Sequence, residues 1–190
     1  MGYNGTVYEL RPSANEGQPF IDLEAHNFWD EWDELDQAFP PGVDVINCRQ
    51  LSFTVNDPRA LDWDWYYIDV IGAMSLRACS VLWPYLRACC NRFQTTINSR
   101  PYFILRPSGA RIDCVIRSES ILEPAPDDPN CFLDVKRLTF RREPLTDPQI
   151  FMVPERPNTP LVTESIKRMV NEAGLNGFEF VDCENLRGYF

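Results

Sequence analysis

Histidine occurs once in this 190-residue chain, lysine twice, and glycine only nine times. Each shortage removes a class of chemistry. A single His26 excludes a two-histidine nuclease site and an H-E-x-x-H zinc site. A Ser-His-Asp or Cys-His arrangement would have to use that one imidazole, and no serine sits in a G-x-S-x-G turn. His26 itself stands just before an acidic segment and reads as a surface or capping residue. Neither phosphate-cradling pattern, G-x-x-x-x-G-K-[ST] or G-x-G-x-x-G, is present. No C-x-x-C pair exists among the seven cysteines, so no zinc ribbon or thioredoxin-type motif can be built locally. An odd cysteine count argues against a complete disulfide framework, and free thiols in a reducing cytoplasm are expected. Cys114, Cys131 and Cys183 lie in apolar stretches and read as small hydrophobes. No apolar run approaches the ~18 residues of a membrane span. The opening MGYNGTVYEL lacks the basic-then-apolar order of a secretory signal. Met1 to Thr6 matches the N-myristoylation pattern by letters, but without a polybasic second signal it is not read as an anchor.

What the chain does have is acid, unevenly placed. The formal net charge is −10, from 28 Asp and Glu against 18 Lys and Arg. Residues 1–75 carry 14 acids and three bases (Arg11, Arg49, Arg59), a net of −11, so the remainder is close to neutral. The excess concentrates between Asp22 and Asp44, where eight acids occur with no Lys or Arg. Such a block repels nucleic acid and draws in a basic partner. The 16 arginines and two lysines form no basic stripe of the kind nucleic-acid binding needs.

The order of elements reads as α+β, with mixed or antiparallel sheets and a few helices, rather than a regular βαβα alternation. Thr6 to Leu10 alternates like a strand. Phe28, Trp29, Trp32, Leu35 and Phe39 recur at helical spacing over residues 28–39, with Asp30, Glu31, Asp33, Glu34 and Asp36 filling the other face. Asn27 is placed to cap that helix and Pro40-Pro41 to stop it. Strands are expected at Val45-Ile46 and Leu51 to Val55. Ser75 can cap a central helix near 76–90, which Pro84 should kink or split by beginning a second piece. On that helix the neighbours Cys89 and Cys90 would point about 100° apart, which makes them poor joint ligands. Further strands are expected at Phe93 to Asn98, Tyr102 to Leu105, Ile112 to Ile116, Phe132 to Val135, Leu138 to Phe140 and Ile150 to Val153. Ten of the 16 prolines fall between Pro101 and Pro160, which makes the connections there stiff and non-helical. Thr163 should cap a C-terminal helix near 163–173, ended by Gly174 and followed by a closing strand from Gly177 to Val181. The length suits one domain over 1–190, with room for an acidic, aromatic-rich lobe (1–72) and a second lobe (73–190).

Between Leu61 and Val70 acids alternate with large aromatics. Four of the five tryptophans (Trp29, Trp32, Trp63, Trp65) lie in the acidic half. Tryptophan serves both cores and interface hot spots. If Asp62-Trp63-Asp64 is a strand, the two carboxylates share a face and could offer two oxygens to a cation. Hard cations want six or more oxygens, so neither a metal nor a cofactor is expected.

The second half carries a resemblance. Arg100-Pro101-Tyr102-Phe103-Ile104-Leu105, then Ile112-Asp113-Cys114 and Ser118-Glu119-Ser120, form a first piece. Ile150-Phe151-Met152-Val153, Leu161-Val162-Thr163-Glu164-Ser165-Ile166-Lys167 and Ala173-Gly174-Leu175-Asn176-Gly177-Phe178-Glu179-Phe180 form the second. Over about residues 70–190 this order resembles the immunity-protein family numbered eleven of bacterial polymorphic toxin systems. The closing helix-Gly-strand element is its most specific part. The stretch with Pro124, Pro126, Asp127, Asp128 and Pro129 departs from the pattern and reads as a loop. The resemblance implies a small cytoplasmic protein that binds and blocks a cognate toxin and is not an enzyme. It transfers no catalytic residues. A basic toxin, such as a nuclease, would suit the anionic face. The residues expected to meet it are Asp30, Glu31, Asp33, Glu34, Asp36, Asp62, Trp63, Asp64 and Trp65. The competing readings are a stand-alone enzyme or effector with carboxylate-based hydrolytic chemistry, and an acidic adaptor.

Overall fold

The computed structural model describes residues 3–12, 21–23, 44–45, 52–55, 62–68, 71–107 and 111–185. The helix expected over 28–39, with Asp30, Glu31, Asp33, Glu34 and Asp36, lies outside them. The architecture is α+β. In chain order the elements are β1 (Val7–Pro12), β2 (Ile21–Leu23), β3 (Asp44–Val45), β4 (Ser52–Val55), β5 (Trp65–Ile68), β6 (Ile71–Ser75), α1 (Leu76–Leu86), β7 (Cys90–Ile97) and β8 (Arg100–Pro107). They continue as β9 (Ile121–Ala125), β10 (Asp128–Arg137), β11 (Ile150–Val153), β12 (Arg156–Thr163), α2 (Glu164–Glu172) and β13 (Phe178–Asp182).

A seven-stranded mixed sheet runs β2-β4-β7-β8-β6-β5, with β3 also pairing β7. A four-stranded antiparallel sheet runs β11-β12-β1-β13. β9 and β10 form a separate two-stranded ribbon. The halves of the chain interleave. β1 lies between β12 and β13, and the boundary expected near residue 72 falls inside β6.

Alternation along β1 explains the packing. Leu10 joins Trp65, Met74, Leu82, Leu86, Leu105, Val162 and Ile166 in a core between the helices and the two sheets. Val7, on the opposite face of the same strand, joins Phe151, Leu161, Leu138 and Cys183 in a second core. A strand buried on both faces in this way needs apolar residues at odd and even positions alike. The polar exception, Glu9, is 2% exposed and is held by Arg11 at 2.7 Å and Arg156 at 3.1 Å.

Local signals place most element ends. Ser75 caps α1, its Oγ accepting from the Ala78 N–H at 3.0 Å. α1 stops at Leu86 rather than near residue 90. Pro84 has no N–H to offer the Ser80 carbonyl, which weakens the last turn. Cys90 is taken instead by the sheet, opposite Pro107. Asn98 and Ser99 both adopt positive φ (49° and 62°), giving the two-residue hairpin loop that matches strand twist between β7 and β8. α2 begins after Thr163, but that hydroxyl accepts from Gln149 N–H at 3.0 Å and makes no cap bond. The Tyr3 hydroxyl serves instead, accepting from Glu164 N–H at 2.8 Å. Gly174 ends α2 at φ +58°.

Two expectations fail locally. The strands expected at Ile112 to Ile116 and Leu138 to Phe140 are reduced to a single bridge between Val115 and Phe140. The Pro- and Asp-rich stretch read as a loop is the β9–β10 hairpin, whose register slips repeatedly. Bulges accommodate prolines that a regular ladder would reject.

Candidate partner-binding edge

β5 pairs only with β6 and is the last strand of the seven-stranded sheet among the described residues. Asp62, Trp63 and Asp64 lead into it. The strand begins only at Trp65, so the alternation expected for the carboxylates does not hold. The Asp62 side chain is 79% exposed, whereas that of Asp64 is 6% exposed. They do not share a face and cannot jointly hold a cation.

Asp64 is a buried junction. One carboxylate oxygen accepts from Ser75 Oγ at 2.6 Å. The other accepts from Arg77 Nη1 at 3.1 Å and from the Asn176 N–H at 3.1 Å. The Asp64 N–H returns a bond to Asn176 Oδ1 at 2.7 Å. The same carboxylate therefore orients the α1 cap and ties residues 112 positions apart. Arg77 extends the clasp by donating through Nη2 to the carbonyls of Ala173 (2.6 Å) and Gly174 (3.0 Å). Replacing Ser75 with Ala removes both the cap acceptor and a donor to Asp64. The expected loss is about 1–2 kcal/mol, read in a denaturant titration as a lower midpoint with unchanged slope.

Trp65 turns fully inward at 1% exposure and stacks on Phe178, with ring centroids 5.3 Å apart. Gly177 crosses above at φ +83°, and a Cβ there would lie 2.6 Å from the Trp65 carbonyl oxygen. Two of the expected contact residues, Asp64 and Trp65, are thus corrected to internal supports. Their side chains are spent on the fold and present nothing to a partner.

Asp62 and Trp63 remain at the edge. Asp62 pairs with the exposed Arg100. The Trp63 ring is half-buried and stacked on Tyr66, at 6.1 Å between centroids. Its carbonyl accepts from the Tyr102 hydroxyl at 2.8 Å. Burial raises the pKa of both Tyr66 and Tyr102, so these phenols stay protonated and Tyr102 remains a donor. The edge is an acid and an indole on rigid footing.

The supporting residues Arg77, Asn176 and Gly177 were not singled out as site residues from the sequence. Their only signal was the C′ glycine and the Gly-x-Phe that follows it. That segment, Ala173 to Phe180, is the one on which the family resemblance rests most, and it is what grips Asp64 and Trp65.

Elsewhere, a cavity of about 550 Å³ opens at the start of α2, lined in part by Tyr3, Asp147, Glu164 and Arg168. Its polar groups pair with one another, Ser165 Oγ donating to Asp147 at 2.7 Å and Arg168 donating to Ser165 at 3.2 Å. Cys114 and Cys183 are buried as expected, and burial pushes the Cys114 thiol up to about 12. Cys131 is exposed, contrary to its apolar surroundings in sequence. No three His, Cys, Asp or Glu side chains converge among the described residues. No helix among them is long and apolar enough to cross a membrane. No protein-family model and no curated protein matches the chain.

Proposed function

We propose that this chain is an immunity protein that binds a basic toxin in the cytoplasm and blocks it without catalysis. The observation that carries the reading is the charge asymmetry, a net of −11 in the first 75 residues against near-neutrality in the rest. That asymmetry continues onto the sheet edge through exposed Asp62 beside Trp63. A field of one sign raises the capture rate of an oppositely charged protein. A preorganised aromatic beside it supplies short-range affinity at small entropic cost. Asp62 already holds an arginine in a solvent-exposed pair, and a toxin lysine or arginine could replace Arg100 there.

The test has two parts. The tagged protein is recovered from its native host in moderate salt, and the retained proteins are identified by mass spectrometry. A retained basic protein is then purified and its toxicity measured with and without the chain. Stoichiometric retention and loss of toxicity are expected. A chain that harms cells when expressed alone would instead be an effector, and the reading would fall.

A further inference from the structure

The early end of α1 has a chemical consequence. Cys89 and Cys90 do not diverge on a helix. Cys89 lies in the turn after Leu86 and Cys90 opens β7, and their sulfurs come to 3.9 Å. The two sites are unequal. Cys89 is partly exposed, while Cys90 is sealed in the core at 0% exposure. The Cys89 thiol donates to the Leu86 carbonyl at 3.3 Å and packs in the same cluster as Ile150 of β11. It therefore sits where the seven-stranded sheet, through β7, meets the four-stranded sheet, through β11.

We propose that Cys89 and Cys90 form an oxidation site for peroxides, in which Cys89 is the attacking thiol and Cys90 the resolving thiol. Cys89, the partly exposed residue of the pair, meets the oxidant, and the buried Cys90 is reached only from within. The Cys89 thiolate attacks the O–O bond of hydrogen peroxide. An S–O bond forms, the O–O bond breaks, hydroxide leaves, and the sulfur is oxidised by two electrons to a sulfenic acid. The Cys90 sulfur then attacks the Cys89 sulfur. An S–S bond forms, the S–O bond breaks, and the departing hydroxide leaves as water with the Cys90 proton. In sum, two thiols and one peroxide give one disulfide and two waters.

The surroundings favour this division of roles. The hydrogen bond from Cys90 lowers the Cys89 thiol to about 7, with burial opposing and the Ile150 backbone assisting. Burial and the neighbouring Cys89 push the Cys90 thiol well up, so it keeps its proton until the sulfenic acid forms. Near pH 7 a larger share of Cys89 is therefore thiolate than of a thiol at the ordinary pKa of ~8.5. The product is built to be reversible. Adjacent residues hold their Cα atoms about 3.8 Å apart, below the ~4.4–6.8 Å of ordinary disulfides, so the ring is strained and easily reduced.

Tryptic cleavage after Arg87 and Arg92 isolates both sulfurs in the single peptide Ala88-Cys89-Cys90-Asn91-Arg92. The reduced full-length protein is treated with one equivalent of hydrogen peroxide at pH 7 and alkylated, and its peptides are weighed. The expected result is loss of two hydrogens from that peptide, reversed by dithiothreitol, at least about tenfold faster than oxidation of any other cysteine. The rate should rise through a midpoint near pH 7. In Cys90→Ser, the reaction should stop at a Cys89 sulfenic acid that dimedone traps. Oxidation of another cysteine first, or intermolecular dimerisation in place of the internal disulfide, would overturn the proposal. Because the wild-type result is decisive, the test survives a variant that does not fold.

Discussion

Replacing Asp30, Asp33 and Glu34 together with Lys should slow association with the cognate toxin by about a hundredfold at low salt. Each reversal moves the charge by two, so the net changes from −10 to −4. The change falls within the Asp22–Asp44 block, where no base dilutes it. Steering by such a field accelerates encounter by roughly 10- to 1,000-fold and fades as salt rises. The variant should therefore lose most of the salt dependence of its association rate while dissociating at nearly the original rate. Trp63→Ala should do the reverse. Removing a stacked indole from the edge acts after encounter, so it should speed dissociation and leave the on-rate nearly unchanged. Stopped-flow or surface-based kinetics at several salt concentrations reads both. An unchanged on-rate and salt slope in the triple variant would remove the acidic block from the interface.

Gly72→Ala should be the most damaging single-methyl change among the described glycines, at about 3 kcal/mol. Gly72 lies on β6 beneath the Trp65 indole, and a Cβ there would sit 1.7 Å from Cη2 and 2.1 Å from Cζ2. Neither partner can yield. Trp65 is 1% exposed and fixed by Phe178, and Gly72 is paired in register with Tyr67. Overpacking of a closed core costs about 1–3 kcal/mol, and more when the strain cannot spread. In a chain of this length that corresponds to a fall in Tm of roughly 6–12 °C. Trp65→Phe should partly rescue it. The smaller ring vacates the clash and also removes the indole N–H, which is buried without an acceptor. The double variant should be more stable than the sum of the single losses by at least ~1 kcal/mol. Strict additivity, measured by denaturant unfolding, would show that the indole is not what excludes a side chain at residue 72.

The two variants act on different parts of the chain. The acidic reversal substitutes neither Asp64 nor Trp65, and its expected effect is on the association rate. Gly72→Ala disturbs the support of the edge and should weaken binding only in proportion to the unfolded fraction.

Much of this protein was legible in its residues because the relevant forces act over a few positions. Ser75 can cap a helix wherever the chain leads next, because its hydroxyl needs only the N–H three residues on. Gly174 ends α2 because a left-handed residue is inexpensive without a Cβ. The charge of each half is likewise a simple sum over the residues. Thr163 marks the limit of such signals. The helix starts where the threonine places it, but a glutamine and a tyrosine from elsewhere decide which hydroxyl satisfies its first N–H.

What the tertiary structure alone decided is which side chains turn inward. Asp62 and Asp64 are chemically alike and two residues apart, yet one is solvated and the other buried, because Asn176 and Arg77 arrive to satisfy only the second. Trp63 and Trp65 divide in the same way, since Phe178 and the space above Gly72 accept only Trp65. Cys89 and Cys90 converge because β7 takes Cys90 into register with Pro107 before the helix can carry it away. In each case the sequence supplied a local preference worth about 1 kcal/mol or less. Partners brought from distant parts of the chain supplied burial and charged hydrogen bonds worth more, and the larger contribution set the geometry.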